Sequence, residues 1–367
     1  MASLAVSLSV DLCGLKLRNP IMTASGSTSH NASALIKAAE HGAGGLVTKT
    51  MSLEASETPR PNLAKVEGGI INAESWSEIS HRQWISDEFP KLKETNLPII
   101  ASIGYTAEEV AEIAPKVAEA GAEAVEICMN KQELSVDSLV EAVTAAKKAA
   151  EIPVFAKLSA QVPDIVKAAK AVKEAGADAI VAIDAVGPCM AFEVENAMPL
   201  MGSPNGYGWL SGPAIKPLAV RCVADIARKV EIPIIGAGGV SNSRDALEFI
   251  MAGATAVELC ASAIIRGAEV YGRIADEITR FMRSRSYTTI DAFRGTALKH
   301  LPDEEDAIRT KVPELEVLKS KCTGCRLCVS CPYGAIRMIG GLAKIDVAKC
   351  TGCGICVSIC PPKAIRY

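Results

Sequence analysis

The carboxyl-terminal stretch from Lys321 to Pro361 holds eight of the thirteen cysteines of this 367-residue chain. It contains one pattern twice, Lys-Cys-Thr-Gly-Cys-x-x-Cys-Val-Ser, which begins at Lys321 and again at Lys349. A further Cys-Pro follows each copy, at Cys331 and at Cys360. Each copy crowds three thiolates into seven residues, which suits three corners of one 4Fe–4S cluster. The repeat therefore predicts a small carboxyl-terminal domain built around two such clusters.

The two copies differ in the position of the fourth cysteine. The second copy has the C-x2-C-x2-C-x3-C-P spacing of bacterial-type ferredoxins, in which the fourth cysteine binds the other cluster. The first copy is one residue shorter, C-x2-C-x2-C-x2-C, so Cys331 departs from that pattern. The spacing predicts that one cluster is bound by Cys322, Cys325, Cys328 and Cys360, and the other by Cys350, Cys353, Cys356 and Cys331.

Two other uses of paired cysteine runs have to be weighed. Zinc also accepts four cysteines, but zinc sites usually pair two separated C-x2-C hooks, which neither copy resembles. A disulfide scaffold is disfavoured because nothing in the sequence points to secretion. We therefore interpret the cysteines as cluster ligands. Clusters carry electrons one at a time, so the rest of the chain must supply the substrate chemistry.

Composition excludes several classes of protein. A formal net charge of −3 gives no indication of a nucleic-acid surface. No run of eighteen apolar residues predicts a membrane-spanning helix, and the first ten residues lack the features of an export signal. Together with the many cysteines, these features lead us to expect a cytoplasmic protein without nucleic-acid or membrane partners.

From Pro20 to Arg283, short apolar runs of strand length alternate eight times with helical patterns. The predicted helices include Ala32–Glu40, Ala107–Ala120 and a last helix over 264–283. Apolar runs separated by helices are typical of a parallel sheet buried on both faces. Eight such units in roughly 250 residues favour a closed (β/α)8 TIM barrel over an open doubly wound sheet. The sequence thus predicts a TIM-barrel domain over residues 1–300, a linker over 301–318, and a ferredoxin-like α+β domain over 319–367. The segment Met51–Phe89 is long for a loop and is predicted to carry small extra elements over the barrel mouth.

In TIM barrels the reactive residues follow the carboxyl ends of the strands. The glycines Gly238 and Gly239 follow the seventh predicted strand, at the position of a phosphate-binding nest. Lys49 and Lys157 end apolar strands, where an unpaired ammonium would be costly and a bound anionic flavin would satisfy it. A Gly-x-Gly-x-x-Gly turn is missing, so no nicotinamide domain is expected. The strand ends as a set carry Ala24, Ser25, Gly26, Lys49, Thr50, Ser102, Cys128, Lys157, Asp184, Gly238, Gly239, Cys260 and Ala261.

Four segments resemble the dihydroorotate dehydrogenase family of FMN barrels: 13–26, 47–50, 208–213 and 238–239. The barrel followed by a two-cluster module resembles, more narrowly, the carboxyl half of dihydropyrimidine dehydrogenase, over Ser9 to Tyr367. Asn72 and Glu74 match the family's pyrimidine-binding Asn-x-Glu. The resemblance implies FMN held by Ala24, Ser25, Lys49, Lys157, Gly212, Gly238 and Gly239.

The chain departs from the family at two strand ends. The family follows its fourth strand with Asn-Leu-Ser-Cys-Pro and a lid with a catalytic cysteine, whereas this chain has Cys128-Met-Asn-Lys-Gln-Glu133. After the sixth strand the family has Asn-Thr, and this chain has Asp184-Ala185. A site that hydrogen-bonds a ring discriminates through such groups. We therefore expect a different substrate that is still flat and polar and that contacts Asp184. Dihydrouracil, dihydrothymine and dihydroorotate are expected to be poor substrates.

The proton donor has to be found elsewhere, and three residues are candidates: Cys189 on the loop after strand six, Lys131, and Cys128. The predicted activity is transfer of electrons at FMN between an external redox partner and an activated C=C bond of a small cyclic substrate. Alternatives are a dihydropyrimidine or dihydroorotate dehydrogenase proper, and an electron-transfer subunit of a larger complex. The expected partners are the substrate, a ferredoxin or NAD(P)H-oxidising flavoprotein subunit, and further copies of this chain.

The anaerobically purified protein should contain roughly eight irons per chain, because the duplicated run supplies ligands for two 4Fe–4S clusters. Iron and acid-labile sulfide are measured chemically on wild type, Cys331→Ser and Cys353→Ser. The shortened first run predicts a smaller loss of iron in Cys331→Ser than in Cys353→Ser. Equal losses of iron would show that Cys331 binds its cluster as well as Cys353 does. Stoichiometric zinc without acid-labile sulfide would show that the cysteines do not bind iron–sulfur clusters.

Overall fold

Eight short, buried strands form the centre of the larger of two units in the computed structural model, which describes residues 5–128, 133–302 and 312–367. All the strand pairings in this sheet are parallel, and each strand after the second pairs with its predecessor in the chain. The last strand also pairs with the first. The strands are β1 Ile21–Thr23, β2 Leu46–Val47, β3 Ile99–Ile103, β4 Ala124–Cys128, β5 Val154–Leu158, β6 Ala179–Ala182, β7 Ile234–Ala237 and β8 Ala256–Leu259.

The ring is closed between β1 and β2. Met22 and Gly45 form a parallel bridge, and the Gly44 amide donates to the Ile21 carbonyl at 2.6 Å. The buried Thr23 hydroxyl donates to the Val47 carbonyl at 3.0 Å and accepts from the Val47 amide at 2.7 Å. A side chain thus completes the hydrogen bonding that two short strands leave unmade. The structure confirms the predicted barrel and excludes the open sheet.

Helices cover the outside of the barrel, and polar residues fix where they begin. Asn31, Thr106, Ser135, Asp164 and Asn242 each accept a backbone hydrogen bond at a helix start, as N-cap residues do. The helices are Ala32–Glu40, Ala107–Ala120, Val136–Ala149, Ile165–Glu174, Lys216–Lys229, Ser243–Met251, Ala261–Arg266 and Val270–Ser284.

The last helical segment differs from the sequence-based expectation of one helix over 264–283. Two helices cover this region, and the first ends at Arg266. Gly267 follows with φ of +81°, a conformation that glycine adopts without strain. The apolar pattern continues across this break, so periodicity alone predicts a single helix.

A second, antiparallel sheet is assembled from the two long connections of the barrel. Its strands lie in the order Val186–Cys189, Gly208–Ser211, Gly69–Asn72 and Leu63–Val66. The first two belong to the connection after β6 and the others to the connection between β2 and β3. The predicted extra elements of Met51–Phe89 therefore exist, and they pair with a segment more than a hundred residues away.

The remaining elements of the larger unit are short. A hairpin of Val10–Leu12 and Leu15–Leu17 precedes β1, and a two-residue hairpin of Phe192–Glu193 and Met198–Pro199 extends the connection after β6. Helical turns are Ser27–Ser29, His81–Gln83, Trp84–Glu88, Phe89–Leu92, Lys93–Thr95, Pro204–Gly206, Pro213–Ile215 and Leu298–His300. In the described part of the chain, no helix is long and apolar enough to cross a membrane.

The smaller unit, Pro302–Tyr367, repeats a helical turn and a strand. Helical turns cover Leu327–Ser330 and Ile355–Ile359, and strands cover Glu316–Val317, Ile336–Ile339, Leu342–Ile345 and Ile365–Arg366. Glu316–Val317 pairs with Ile365–Arg366, so two residues assigned to the linker by the sequence form part of this unit. The small core contains three buried cysteines, Cys328, Cys356 and Cys360. Cysteine side chains thus form part of the apolar core of this unit.

Candidate active site

A cavity of about 990 Å³ opens where the strands of the barrel end. Its walls come from the strand ends and from the second sheet, which brings Asn72 and Glu74 to the same space. Ligand pockets are typically ~300–1,000 Å³, so this cavity is large enough for a cofactor together with a small substrate. The sequence-predicted residues on its wall are Ala24, Ser25, Gly26, Lys49, Thr50, Asn72, Glu74, Cys128, Lys157, Asp184, Gly212, Gly238, Gly239, Cys260 and Ala261.

Two predicted site residues, Ser102 and Cys189, are not among the described residues that line this wall. Ser102 lies behind it, where its hydroxyl is 2.9 Å from that of Thr50 and 3.7 Å from the Cys128 sulfur. Within the described residues, Cys189 is also not among the lining side chains, and its thiol donates to the Gly208 carbonyl at 3.3 Å. Lys131 lies outside the described residues.

Lys157, at the end region of β5, is held between two buried carboxylates. Its ammonium lies 2.7 Å from Glu258 Oε2 on β8 and 3.2 Å from Glu126 Oε1 on β4. Ser25 Oγ donates to Glu126 Oε1 at 2.8 Å and accepts from Lys157 at 3.3 Å. Side chains from β4, from β8 and from the segment after β1 therefore converge on the ammonium group that β5 supplies.

Burial dominates the titration of this group. Burial, followed by the charge of Glu126, raises the pKa of Glu258 well above its usual range. Burial lowers the pKa of Lys157, but the charges of Glu126 and Glu258 outweigh that effect and leave it well above its ordinary value. Lys157 is therefore a fixed positive charge at neutral pH.

Lys49 on the opposite connection is also paired. Its ammonium lies 3.0 Å from Glu74 Oε1, and Ser27 Oγ donates to Glu74 Oε2 at 2.6 Å. Asn72 uses its side-chain amide to donate to the Trp209 carbonyl at 3.0 Å. Each of the two lysines thus has at least one carboxylate partner within the protein, in addition to any contact with a bound flavin.

Cys128 sits among hydroxyl groups at the end of β4. Its sulfur lies 3.8 Å from the hydroxyls of Ser25 and Thr50 and 3.5 Å from Glu126 Oε1. Burial, and then the charge of Glu126, raises the pKa of the thiol to about 12. The thiol therefore keeps its proton at neutral pH and is not a ready nucleophile.

The end of β7 is bare backbone. Gly238 and Gly239 have φ of +103° and +89°, and a Cβ on Gly239 would lie 2.7 Å from the Gly212 carbonyl oxygen. A Cβ on Gly238 would crowd Ile183 at 3.1 Å. Successive glycines in such conformations form concave backbone surfaces that bind phosphate groups.

Several buried polar atoms around the cavity lack a partner within the described protein. Trp209 Nε1, Thr58 Oγ1 and Glu258 Oε1 belong to lining residues, and Ser262 Oγ follows the lining residue Ala261. A buried polar group without a hydrogen bond costs about 1–3 kcal/mol. A polar ligand with a phosphate group, such as FMN, fits this combination of orphaned atoms and bare glycine backbone.

The smaller unit brings its cysteines together in groups. Cys322, Cys325, Cys328 and Cys360 line one small cavity, and the charges of Cys350 and Cys353 act on Cys356. Hydrogen bonds from the backbone of Ala343 and Gly324 lower the pKa of Cys322, which favours the thiolate that a cluster binds. Cys331 is half-buried against the same core as Cys328, Cys356 and Cys360. The donor set suits 4Fe–4S clusters.

Sequence reasoning missed two classes of residue at the cavity. Glu126 and Glu258 are single charges within apolar strands, a signal that was present but is interpretable only when a buried partner is known. Tyr105 and Gln161 follow strands by two or three residues, where side-chain direction is undetermined by sequence. Burial raises the pKa of Tyr105, so its hydroxyl stays protonated and can donate.

A barrel with this cavity, joined to a cysteine-rich unit of ferredoxin type, defines a flavin- and iron–sulfur-dependent oxidoreductase. Comparison with known proteins gives the family. The model of the dihydroorotate dehydrogenase family matches residues 7–282, and that of the 4Fe-4S dicluster domain matches residues 315–361. The chain belongs to the dihydroorotate dehydrogenase family.

The matched part of this chain covers nearly the full length of two similar proteins. The dihydroorotate dehydrogenase B (NAD(+)) catalytic subunit of Methanothermobacter thermautotrophicus is 36% identical over 302 residues, covering 79% of this chain and 98% of that protein. The equivalent subunit of Methanosarcina mazei is 39% identical over 300 residues, covering 78% and 94%. A crystal structure of Eimeria tenella DHODH with ferulenol, at 21% identity and a TM-score of 0.66, covers 80% of this chain and 89% of that one, and supports the fold alone.

These comparisons confirm the family, the fold class, the cofactors FMN and two 4Fe–4S clusters, and oxidoreduction at CH–CH bonds. The match to a dicluster domain makes the zinc alternative wrong. A chain that only relays electrons is also disfavoured, because Met51–Phe89 lines the cavity with the strand ends and leaves room for a ligand.

Lys157→Met should reduce FMN occupancy or shift the flavin potential, because the variant removes an ammonium group that lines the cavity. It also leaves two carboxylates unpaired, which costs about 3–5 kcal/mol for a broken buried ion pair. Flavin content and potential are measured on folded protein, with cluster iron as an internal standard. Lys91→Met is the matched control. Lys91 pairs with Glu88 at 2.8 Å, and neither residue lines the cavity. Wild-type flavin content and potential in Lys157→Met would exclude a role for Lys157 at the cofactor.

Proposed function

We propose that this protein interconverts a dihydropyrimidine ring and its unsaturated form, with dihydroorotate as the first substrate to be considered. The observation that carries the proposal is that Asn72 and Glu74 reach the same cavity as the strand-end residues that fit FMN. FMN supplies hydride transfer when bound, and the clusters carry single electrons. The chain's own residues must hold the ring, exclude water and provide a proton.

The roles at the cavity follow from what each group contacts. Asn72 and Glu74 are proposed to bind the ring, and Asp184, whose Oδ1 accepts from the Ala185 amide at 2.7 Å, to border it. Glu74 is held in place by Lys49 and Ser27, so its oxygens are oriented before any substrate arrives. Preorganised hydrogen-bonding groups of this kind contribute to both binding and orientation.

The departures of this chain at Cys128 and Asp184 suggest a ring other than dihydroorotate. The similar proteins favour dihydroorotate instead, because the two subunits compared above are named as dihydroorotate dehydrogenases. One observation favours a second candidate, an uncharged pyrimidine such as uracil or thymine. Among the described lining residues, the acidic side chains are Glu57, Glu74, Asp184 and Glu258, against the lysines Lys49 and Lys157. Both lysines are already paired with carboxylates, which disfavours a substrate that carries its own carboxylate.

A proton must reach or leave the ring carbon opposite the one that exchanges hydride. Among the candidate donors that the structure describes, Cys128 lies on the cavity wall. Because burial raises the pKa of its thiol, the thiol is protonated at neutral pH. Cys189 would have to leave the Gly208 carbonyl to act. We therefore propose Cys128 as the donor, with Cys189 and Lys131 as alternatives.

Electrons then leave or enter through the clusters. We propose cluster ligands as the cysteine spacing predicts, and an external partner that is an NAD(P)H-oxidising flavoprotein subunit or a ferredoxin. The relatives support a subunit partner, because their names designate a catalytic subunit. A cytoplasmic location and assembly with further copies of this chain are parts of the same proposal.

The substrate is tested by stopped-flow reoxidation of the anaerobically reduced enzyme. We expect orotate to reoxidise the flavin faster than uracil or thymine, as the relatives indicate. Faster reoxidation by uracil or thymine would support the uncharged ring instead. Reoxidation by none of the three would show that the ring is of another kind and would contradict the proposal.

Cys128→Ala should slow reoxidation by the best substrate about a hundredfold or more if its thiol is the proton donor. Cys189→Ala is the matched control, since it removes a thiol from the same domain but away from the cavity wall. The same stopped-flow measurement reports both variants, with flavin content checked first. A larger effect of Cys189→Ala than of Cys128→Ala would reverse the assignment.

A further inference from the structure

Glu126, Lys157 and Glu258 form a buried group in which the charges do not balance. The side chains of the two glutamates are 0% exposed and that of Lys157 is 4% exposed. If all three were ionised, the group would carry one net negative charge without access to water. An uncompensated buried charge is strongly unfavourable, and such groups take up or release a proton instead.

Two atoms of the group lack a partner within the described protein, and both are carboxylate oxygens. Glu126 Oε2 and Glu258 Oε1 are buried without a hydrogen bond, while the other oxygen of each carboxylate contacts Lys157. Each carboxylate thus has one oxygen on the same ammonium and one buried oxygen without a partner among the described residues. One added proton on the pair would neutralise the excess charge.

We propose that Glu126 and Glu258 share one proton, so that the pair and Lys157 form a neutral unit in the wall of the cavity. The other titratable groups that act on the unit are Cys128 on β4, Asp184 after β6 and Tyr271 on the helix Val270–Ser284.

The shared proton makes Glu126 and Glu258 positioning residues. Glu258 and Lys157 both line the cavity, whereas Glu126 is behind them. With the proton present, the cavity faces one ammonium whose position is fixed by two carboxyl groups, and the three side chains together carry no net charge. Without it, the three side chains would carry one net negative charge. This inference depends on the geometry of the three side chains and does not rest on the identity of the substrate.

The experiment is infrared spectroscopy of the oxidised holoenzyme at neutral pH, in the carbonyl-stretch region of protonated carboxylic acids, with deuterium exchange to assign the band. Wild type should show a protonated carboxyl. Glu258→Gln and Glu126→Gln should each lose it, because one remaining carboxylate balances Lys157 and no longer needs a proton. Glu88→Gln is the matched control and should retain it, since Glu88 is a buried carboxylate with one lysine partner and no second carboxylate in contact among the described residues.

Absence of the band in wild type, its persistence in either variant of the pair, or its loss in Glu88→Gln would overturn the proposal. Stability supplies a second readout. Both single variants should melt near the wild-type temperature, because glutamine has the shape and charge of the protonated acid. The double variant should melt far lower, since it leaves the Lys157 ammonium buried beside two amides. A Glu258→Gln protein that fails to fold, or a double variant as stable as the single ones, would also contradict the shared proton.

Discussion

The ammonium of Lys157 is the charge around which the cavity of the barrel is arranged. A lysine in the interior is tolerated only with partners, and here β4 and β8 each supply a carboxylate while the segment after β1 supplies the Ser25 hydroxyl. The contacts of Lys157 with Glu258 and Ser25 cross the barrel and link β5 to strands that are not its neighbours in the sheet, whereas Glu126 comes from the adjacent strand β4. The polar group in turn determines which atoms a ligand meets at this end of the cavity.

The other side of the cavity depends on backbone pairing. The strand Gly69–Asn72 pairs with Gly208–Ser211, so two connections of the barrel support each other across its mouth. This pairing places Asn72 beside the Trp209 carbonyl and brings Glu74 within reach of Lys49. Asn72 and Glu74 can therefore face the same space as the strand ends although they are distant in the chain. Substitutions in the pairing strands are expected to affect the site indirectly, through the position of Glu74.

Much of the architecture was predictable because the underlying forces are local or periodic. The helices Ala32–Glu40 and Ala107–Ala120 begin and end where capping residues and apolar spacing place them. Most of the strand-end residues named from the sequence lie on the cavity wall, since parallel strands present their carboxyl ends at one face. The break at Gly267 was missed, because apolar periodicity continues through a glycine. The partners of Lys49 and Lys157 were missed as well, because ion pairs between distant segments leave no spacing signal.

By itself the sequence determined the two-domain plan, the barrel and the two clusters, because cysteine spacing and eight repeated strand–helix units are local patterns in the sequence. The flavin was implied by the resemblance of four segments to a family of FMN barrels. Only the tertiary structure decided which of the candidate residues share a cavity. It placed Cys128 on the wall and Cys189 off it, and it joined Glu126, Lys157 and Glu258 into one group. The physical reason is that charge balance in a low-dielectric interior depends on distances of a few ångströms between groups that the chain separates by tens of residues.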